Sequence, residues 1–186
     1  MFTGIVQAVG RIVREDPLEI ESGGLDMGDV AVGDSICVQG VCLTVTGLTA
    51  RGFTADVSAE TRRVSAGLHA RAKVNLEKAL ALSGKLGGHL VTGHVDGVGE
   101  VLSFAAGALR IAVPHGLSRY VARKGSVTVD GVSLTVNKVD GDAFEVFLIP
   151  HTLKATTLGR LAPGAPVNLE VDLIARYVER MLKHDS

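Results

Sequence analysis

The chain has 186 residues, 46% apolar and 21% charged, with a formal charge of −1. That balance builds a globular core and gives no electrostatic footprint for nucleic acid or an anionic membrane, and two Tyr, five Phe and no Trp leave little for base stacking. No window approaches the roughly 20 apolar residues that span a bilayer, and two Cys without an export-type N-terminus are expected to be free thiols in a reducing cytoplasm.

Strand signals dominate: alternating or β-branched runs bounded by glycine. In the first half they predict strands at 2–13, 35–38, 41–47, 53–57 and 72–76. Gln39-Gly40 sits between two of these runs as a hairpin turn, setting Cys37 opposite Cys42. After 53–57, Ser58 is placed to cap a short helical turn. Lys85 to Gly88, with its two adjacent glycines, reads as the linker. The second half predicts strands at 90–102, 109–113, 126–129, 132–138, 144–149 and 166–170. Asp130-Gly131 is its hairpin turn, setting Thr128 opposite Ser133, and Pro150 suits the first position of a second helical turn. From Leu173 the pattern changes. Leu173, Ile174, Tyr177, Val178, Met181 and Leu182 form one apolar stripe on a helix that Asp172 caps. The stripe packs either on the chain's own barrel or between subunits.

The two halves repeat. Thr3-Gly4-Ile5-Val6 returns as Thr92-Gly93-His94-Val95, Val38 to Val45 returns at 129–136, and Val74-Asn75-Leu76-Glu77 returns unchanged at 167–170, at offsets of 89, 91 and 93. A period near 90 fits a small duplicated domain rather than a solenoid unit. The reading is all-β: tandem duplicated small antiparallel barrels of five or six strands at 1–87 and 88–171, with a C-terminal helix at 172–186. Duplicated barrels supply two similar pockets. The repeats differ at reactive positions: Cys42 becomes Ser133, and Ile5 becomes His94. An imidazole at His94 is a side-chain type that can accept or relay a proton. His89 and His94, five apart in a predicted strand region, should point to opposite faces, and no other grouping has ligand spacing, so no metal is expected.

Met1 to Val6, Gly40 to Val45, Gly87 to Val95, Lys124 to Val136 and Leu148 to Leu153 together resemble riboflavin synthase of the α type, in family order over nearly the whole chain. The resemblance implies paired six-stranded Greek-key barrels with a C-terminal helix, a homotrimer, and no metal or cofactor. It implies a reaction in which two molecules of 6,7-dimethyl-8-ribityllumazine exchange a four-carbon unit, giving riboflavin and 5-amino-6-ribitylaminouracil, between the N-terminal barrel of one subunit and the C-terminal barrel of the next. The family's ligand-contacting stretches fall on Gly4, Ile5 and Val6, on Cys42, Leu43 and Thr44, and on Asp56, Val57, Ser58, Ala59, Glu60 and Thr61. In the second barrel they fall on Gly93, His94 and Val95, on Lys124, on Ser133, Leu134 and Thr135, and on Leu148, Ile149, Pro150, His151, Thr152 and Leu153. Functionally sensitive positions carry over to Phe2, Ser35, Cys42, His94, Ser133 and Asp172, with Cys42, His94 and Ser133 expected to be catalytic. Val41 stands where some relatives have a first Cys, and His151 where they often have Glu or Thr. The expected decoration is Cys42 with Ile5 in one pocket and Ser133 with His94 in the other. A non-catalytic lumazine- or flavin-binding antenna protein is the alternative.

Overall fold

The computed structural model describes residues 1–183. β1 (Ala8–Glu15), β2 (Leu18–Glu21), β3 (Ser35–Val38), β4 (Val41–Thr49), β5 (Gly52–Ala55) and β6 (Lys73–Lys78) close into one barrel in the order β1-β2-β5-β4-β3-β6. β7 (Gly97–Ala105), β8 (Ala108–Ala112), β9 (Ser126–Val129), β10 (Val132–Asp140), β11 (Ala143–Phe147) and β12 (Pro166–Val171) close a second barrel with the same connectivity. In each, three hairpin-connected strands are followed by a fourth that returns beside the first of them, which is a Greek key. Alternation drives this. Along β4 and β10, Val41, Leu43 and Val45, and Val132, Leu134 and Val136, point into the two cores, while Thr44, Thr46 and Thr135 face out. Bulges at Ile12/Arg14 and Val45/Gly47 recur at Val101/Ser103 and Val136/Lys138, and each adds the local twist that barrel closure needs.

The expected hairpins form: Cys37 pairs with Cys42, and Thr128 with Ser133. Both turns have positive φ at their two central residues, Gln39 and Gly40 in one and Asp130 and Gly131 in the other, the requirement of a type I′ turn. These turns meet face to face between the barrels. A Cβ on Gly40 would come within 2.9 Å of the Gly131 nitrogen, and one on Gly131 equally close to the Gly40 nitrogen. Around them the repeated asparagines exchange bonds across the interface. Asn75 Nδ2 donates to the Asp130 carbonyl at 2.9 Å and Asn168 Nδ2 to the Gln39 carbonyl at 2.8 Å. Each barrel thus satisfies the other's buried turn, which explains why Val-Asn-Leu-Glu recurs without change.

The structure corrects three sequence expectations. β2 was not among the predicted strands. Residues 2–7 and 90–96 are not parts of long strands; β1 starts at Ala8 and β7 at Gly97, and only the Phe2–Val91 bridge lies in the preceding segments. His89 and His94 therefore do not share a strand. The C-terminal helix, α3 (Leu173–Leu182), forms with Asp172 accepting from the Ile174 amide at 2.9 Å. Its stripe does not pack on the chain's own barrel: Ile174, Tyr177, Met181 and Leu182 are each more than 60% exposed. The polar side ties to the second barrel, with Glu179 held by Tyr120 and Arg119, and Arg176 by Asp96.

Candidate functional site

The segments carrying Thr-Gly are straps that cross from one barrel to the other. Glu77, 3% exposed at the end of β6, anchors the first: its Oε1 accepts from the Thr3 amide and hydroxyl at 2.7 and 2.6 Å, and its Oε2 from the Gly4 amide at 2.9 Å. Glu170 holds Thr92 and Gly93 in the same way, at 2.6, 2.7 and 2.9 Å. Burial raises the Glu77 pKa, and the three donors act against that rise. From this anchor the strap reaches over. The Gly4 carbonyl accepts from the Ser133 amide in the second barrel, and the Gly93 carbonyl from the Cys42 amide in the first, both at 2.8 Å. Val6 packs on the second core and Val95 on the first.

The straps fill an edge the barrels leave open. β4 and β5 stay paired only as far as Val45 opposite Ala55, so the outward amide of Cys42 lies beyond the end of β5. The strap takes it. The same register sends Asp56, Val57 and Ser58 past Thr44 toward Cys42, and Val136 opposite Val146 sends Phe147, Leu148 and Ile149 past Thr135 toward Ser133. Each segment then turns into a helix: α1 (Ala59–Val64), capped by Ser58 on the Thr61 amide at 3.0 Å, and α2 (Pro150–Ala155), with Pro150 at its start. Ser35 lies opposite Thr44 across β3 and β4.

Two candidate composite sites result. One gathers Cys42, Leu43 and Thr44, the 56–61 segment, and Gly93, His94 and Val95. The other gathers Ser133, Leu134 and Thr135, the 148–153 segment, and Gly4, Ile5 and Val6. The expected decoration is therefore exchanged: His94 stands on the strap beside Cys42, and Ile5 on the strap beside Ser133. Repeat matching pairs residues by sequence, whereas the straps pair them by crossing.

Several expected contact residues have their side chains inside. Phe2 is fully buried with Val91 and Cys37, and half-buried Cys42 packs against that cluster. Phe2 thus secures the straps and presents no surface to a ligand. Leu43, Leu134 and Leu148 point into the barrels, so only their backbones remain on the candidate sites. Ile5 and Ile149 are 48% and 55% exposed, and Thr44, His94 and Thr135 are exposed too. Glu60 pairs with Arg63 at 2.6 Å, while His151, its counterpart in α2, is exposed. Lys124 is exposed on a left-handed backbone whose amide donates to the Val136 carbonyl at 2.7 Å.

Sequence reasoning missed His89. Its Nδ1 lies 2.7 Å from Ser133 Oγ and its Nε2 3.3 Å from Thr128 Oγ1. With the proton on Nε2, the ring donates to Thr128 and accepts from the Ser133 hydroxyl. Burial pushes the His89 pKa down, with the Asp172 carboxylate opposing, so the imidazole is neutral near pH 7. Among the described residues no side chain hydrogen-bonds the Cys42 thiol in this way. Its cross-strand neighbour is Cys37, 2% exposed, whose thiol is pushed well up by burial and by Glu77 and Glu170. Both cysteines are free thiols. Among the described residues no three His, Cys, Asp or Glu side chains come together as a metal site, and no helix is long and apolar enough to cross a membrane.

The family described as lumazine binding domain matches the chain twice, over residues 3–79 and 92–172. Each match covers one barrel with its strap, which defines a tandem lumazine-binding protein. Riboflavin synthases of Photobacterium leiognathi and Photobacterium phosphoreum are 44% and 45% identical to it, covering 100% of this chain and 90% and 91% of their own lengths. That of Mycobacterium tuberculosis (strain ATCC 25618 / H37Rv) is 50% identical over 70% of this chain and 69% of its own. The chain belongs to the riboflavin synthase family. Crystal structures of LumP complexed with 6,7-dimethyl-8-(1'-D-ribityl) lumazine and with riboflavin align at TM-scores of 0.77 and 0.79, with 25% and 27% identity, over 92% of this chain and 99% of theirs.

Proposed function

We propose that this protein joins two molecules of 6,7-dimethyl-8-ribityllumazine and passes a four-carbon unit from one to the other, yielding riboflavin and 5-amino-6-ribitylaminouracil. The observation that carries this is the pair of composite sites, alike in backbone and unlike in reactive groups: Cys42 with His94 at one, Ser133 with His89 at the other. The two substrates are chemically identical but must act as donor and acceptor, and unlike pockets break that symmetry. The two products together hold the atoms of the two substrates, so no co-reactant is required.

Most of the acceleration comes from orientation, since holding two flat heterocycles in register supplies about 7–11 kcal/mol of barrier lowering. Proton transfer adds on the order of 10²–10⁴ in rate. The neutral His89, through the Ser133 hydroxyl, takes the proton from the acceptor's 7-methyl group, and the carbanion so formed attacks the donor. His94 and Cys42 serve the partner ring. The exposed stripe of α3 supports assembly into a homotrimer that places the N-terminal barrel of one subunit against the C-terminal barrel of the next.

The similarity to LumP favours a second reading, a protein that binds a lumazine without converting it. Incubating the purified protein with the lumazine alone separates the two. Riboflavin absorbance growing at one riboflavin per two lumazines is the expected result; tight binding with unchanged lumazine would establish the binder.

A further inference from the structure

We infer that a cleft between the barrels, lined by neither Cys42 nor Ser133, is a binding site for a compact polyphosphate group. It is a cavity of about 770 Å³, within the range that holds a small ligand. Five cations line it, Arg11, Arg51 and Lys73 from the first barrel and Lys154 and Arg160 from the second, against the single carboxylate of Glu21. Arg51 takes that carboxylate at 2.5 Å. Among the described residues the other four cations have no ion-pair partner.

The duplication provides an internal control. Arg11 lies across the strands from Lys73 and Glu21. Its counterpart Glu100 lies opposite Pro166 and Ala112. Arg51, just before Gly52, corresponds to Asp142, just before Ala143. The same fold thus closes with acidic or neutral residues where this cleft has cations, so the barrel itself does not demand them. Lys154 and Arg160 each sit in the last turn of a short helix, where a cation complements the exposed carbonyls. Arg11 has Glu21 opposite it, but Arg51 holds that carboxylate, and Lys73 has no carboxylate across from it. Like charges directly opposite on a sheet destabilise it, and an anion between them removes that cost. No aromatic side chain lines the cleft, so it recognises phosphate charge rather than a stacked ring.

The test is calorimetric titration of the full-length protein with sodium triphosphate, and in a second arm with ATP. Saturable binding of one triphosphate per chain that weakens steeply with added salt is expected. Triphosphate should also protect Lys73 and Lys154, rather than Lys85 and Lys138, from an amine-reactive label. Equal affinity for ATP assigns the site to the phosphates alone; tighter ATP binding assigns it to a nucleotide's phosphate tail. Arg11→Glu with Arg51→Asp, which imports the residues the second barrel already carries, should weaken binding by roughly tenfold or more while leaving lumazine conversion unchanged. Absence of saturable binding, label protection spread evenly over the lysines, or wild-type affinity in the charge-reversed protein would overturn the assignment.

Discussion

Cys37 and Cys42 face each other across one hairpin in different surroundings, and their chemistry follows from that difference. Cys37 is enclosed with Phe2 and Val91, and burial beside Glu77 and Glu170 keeps its thiol protonated. Cys42 is half-buried beneath the Gly93 strap. Cys42→Ser should therefore lower turnover by roughly tenfold or more. Cys37→Ser should cost thermal stability with little change in kcat, because a hydroxyl in an apolar cluster lacks a partner. Steady-state rates and melting curves of the two variants decide the point, and equal loss of kcat would remove Cys42 from the chemistry. His89 gives a second prediction. Its lowered pKa keeps the ring neutral below the ordinary value of 6.5, so the acid limb of kcat/KM should fall below that pH. His89→Gln should abolish that limb and reduce kcat on the order of 10²-fold. A retained limb in the variant would assign the proton transfer elsewhere. The sequence made Cys42, His94 and Ser133 visible because each sits at a varied position inside a repeated motif. His89 has no such contrast, and its meaning comes only from the approach of Ser133 and Thr128, which lie 44 and 39 residues away in sequence.

Among the elements, the straps are where sequence and structure diverge most. Hairpins, alternating strands and both short helices follow from local pattern: alternation, two-residue turns ending in Gly, a Ser cap, a Pro start. The straps are extended and β-branched, so they read as the beginnings of β1 and β7. What separates them is a tertiary partner, a glutamate 74 residues on in one copy and 78 in the other. β2 escaped notice for a related reason. Its four residues, Leu18 to Glu21, are half glutamate, and pairing with β1 and β5 holds them as a strand. The crossing yields a prediction that repeat matching would assign to the wrong barrel. Gly93 has φ +78, and a Cβ there would meet Cys42 Cβ at 2.7 Å; Gly4 has φ +74, and a Cβ would meet Ser133 Cβ at 2.6 Å. Left-handed backbone alone costs a non-glycine residue about 1–2 kcal/mol. Gly93→Ala should thus change the rate at which an alkylating agent modifies Cys42, in the other barrel, and Gly4→Ala should leave that rate as in wild type. The opposite pattern would refute the crossing.

For the whole molecule, two features couple the barrels to each other and the chain to its neighbours. The first is Asp130, whose carboxyl is pushed from 3.8 up to about 7 by burial where Gln39 has a neutral amide. A carboxyl raised on folding holds its proton more tightly in the folded state. Its contribution is complete below the unfolded value of 3.8 and is lost as pH rises through about 7. Asp130→Asn should accordingly raise Tm at pH 8 and change it little at pH 4, and an equal shift at both would show that the carboxyl is not the cause. The second is α3. Five apolar side chains on it, Ile174, Tyr177, Val178, Met181 and Leu182, stand 43–70% exposed. An uncovered stripe of that kind on a helix tied down by Glu179 and Arg176 fits a bundle with copies of itself. Truncation after Asp172 removes the stripe, together with residues 184–186, which lie outside the described structure. It spares both barrels, both straps and the Asp172 carboxylate near His89. Sedimentation should then show a monomer that still binds the lumazine but makes riboflavin slowly, because in the proposed assembly the two ring systems meet between barrels of different subunits. A truncated chain that sediments as a trimer and turns over at the full rate would move the subunit contact away from α3.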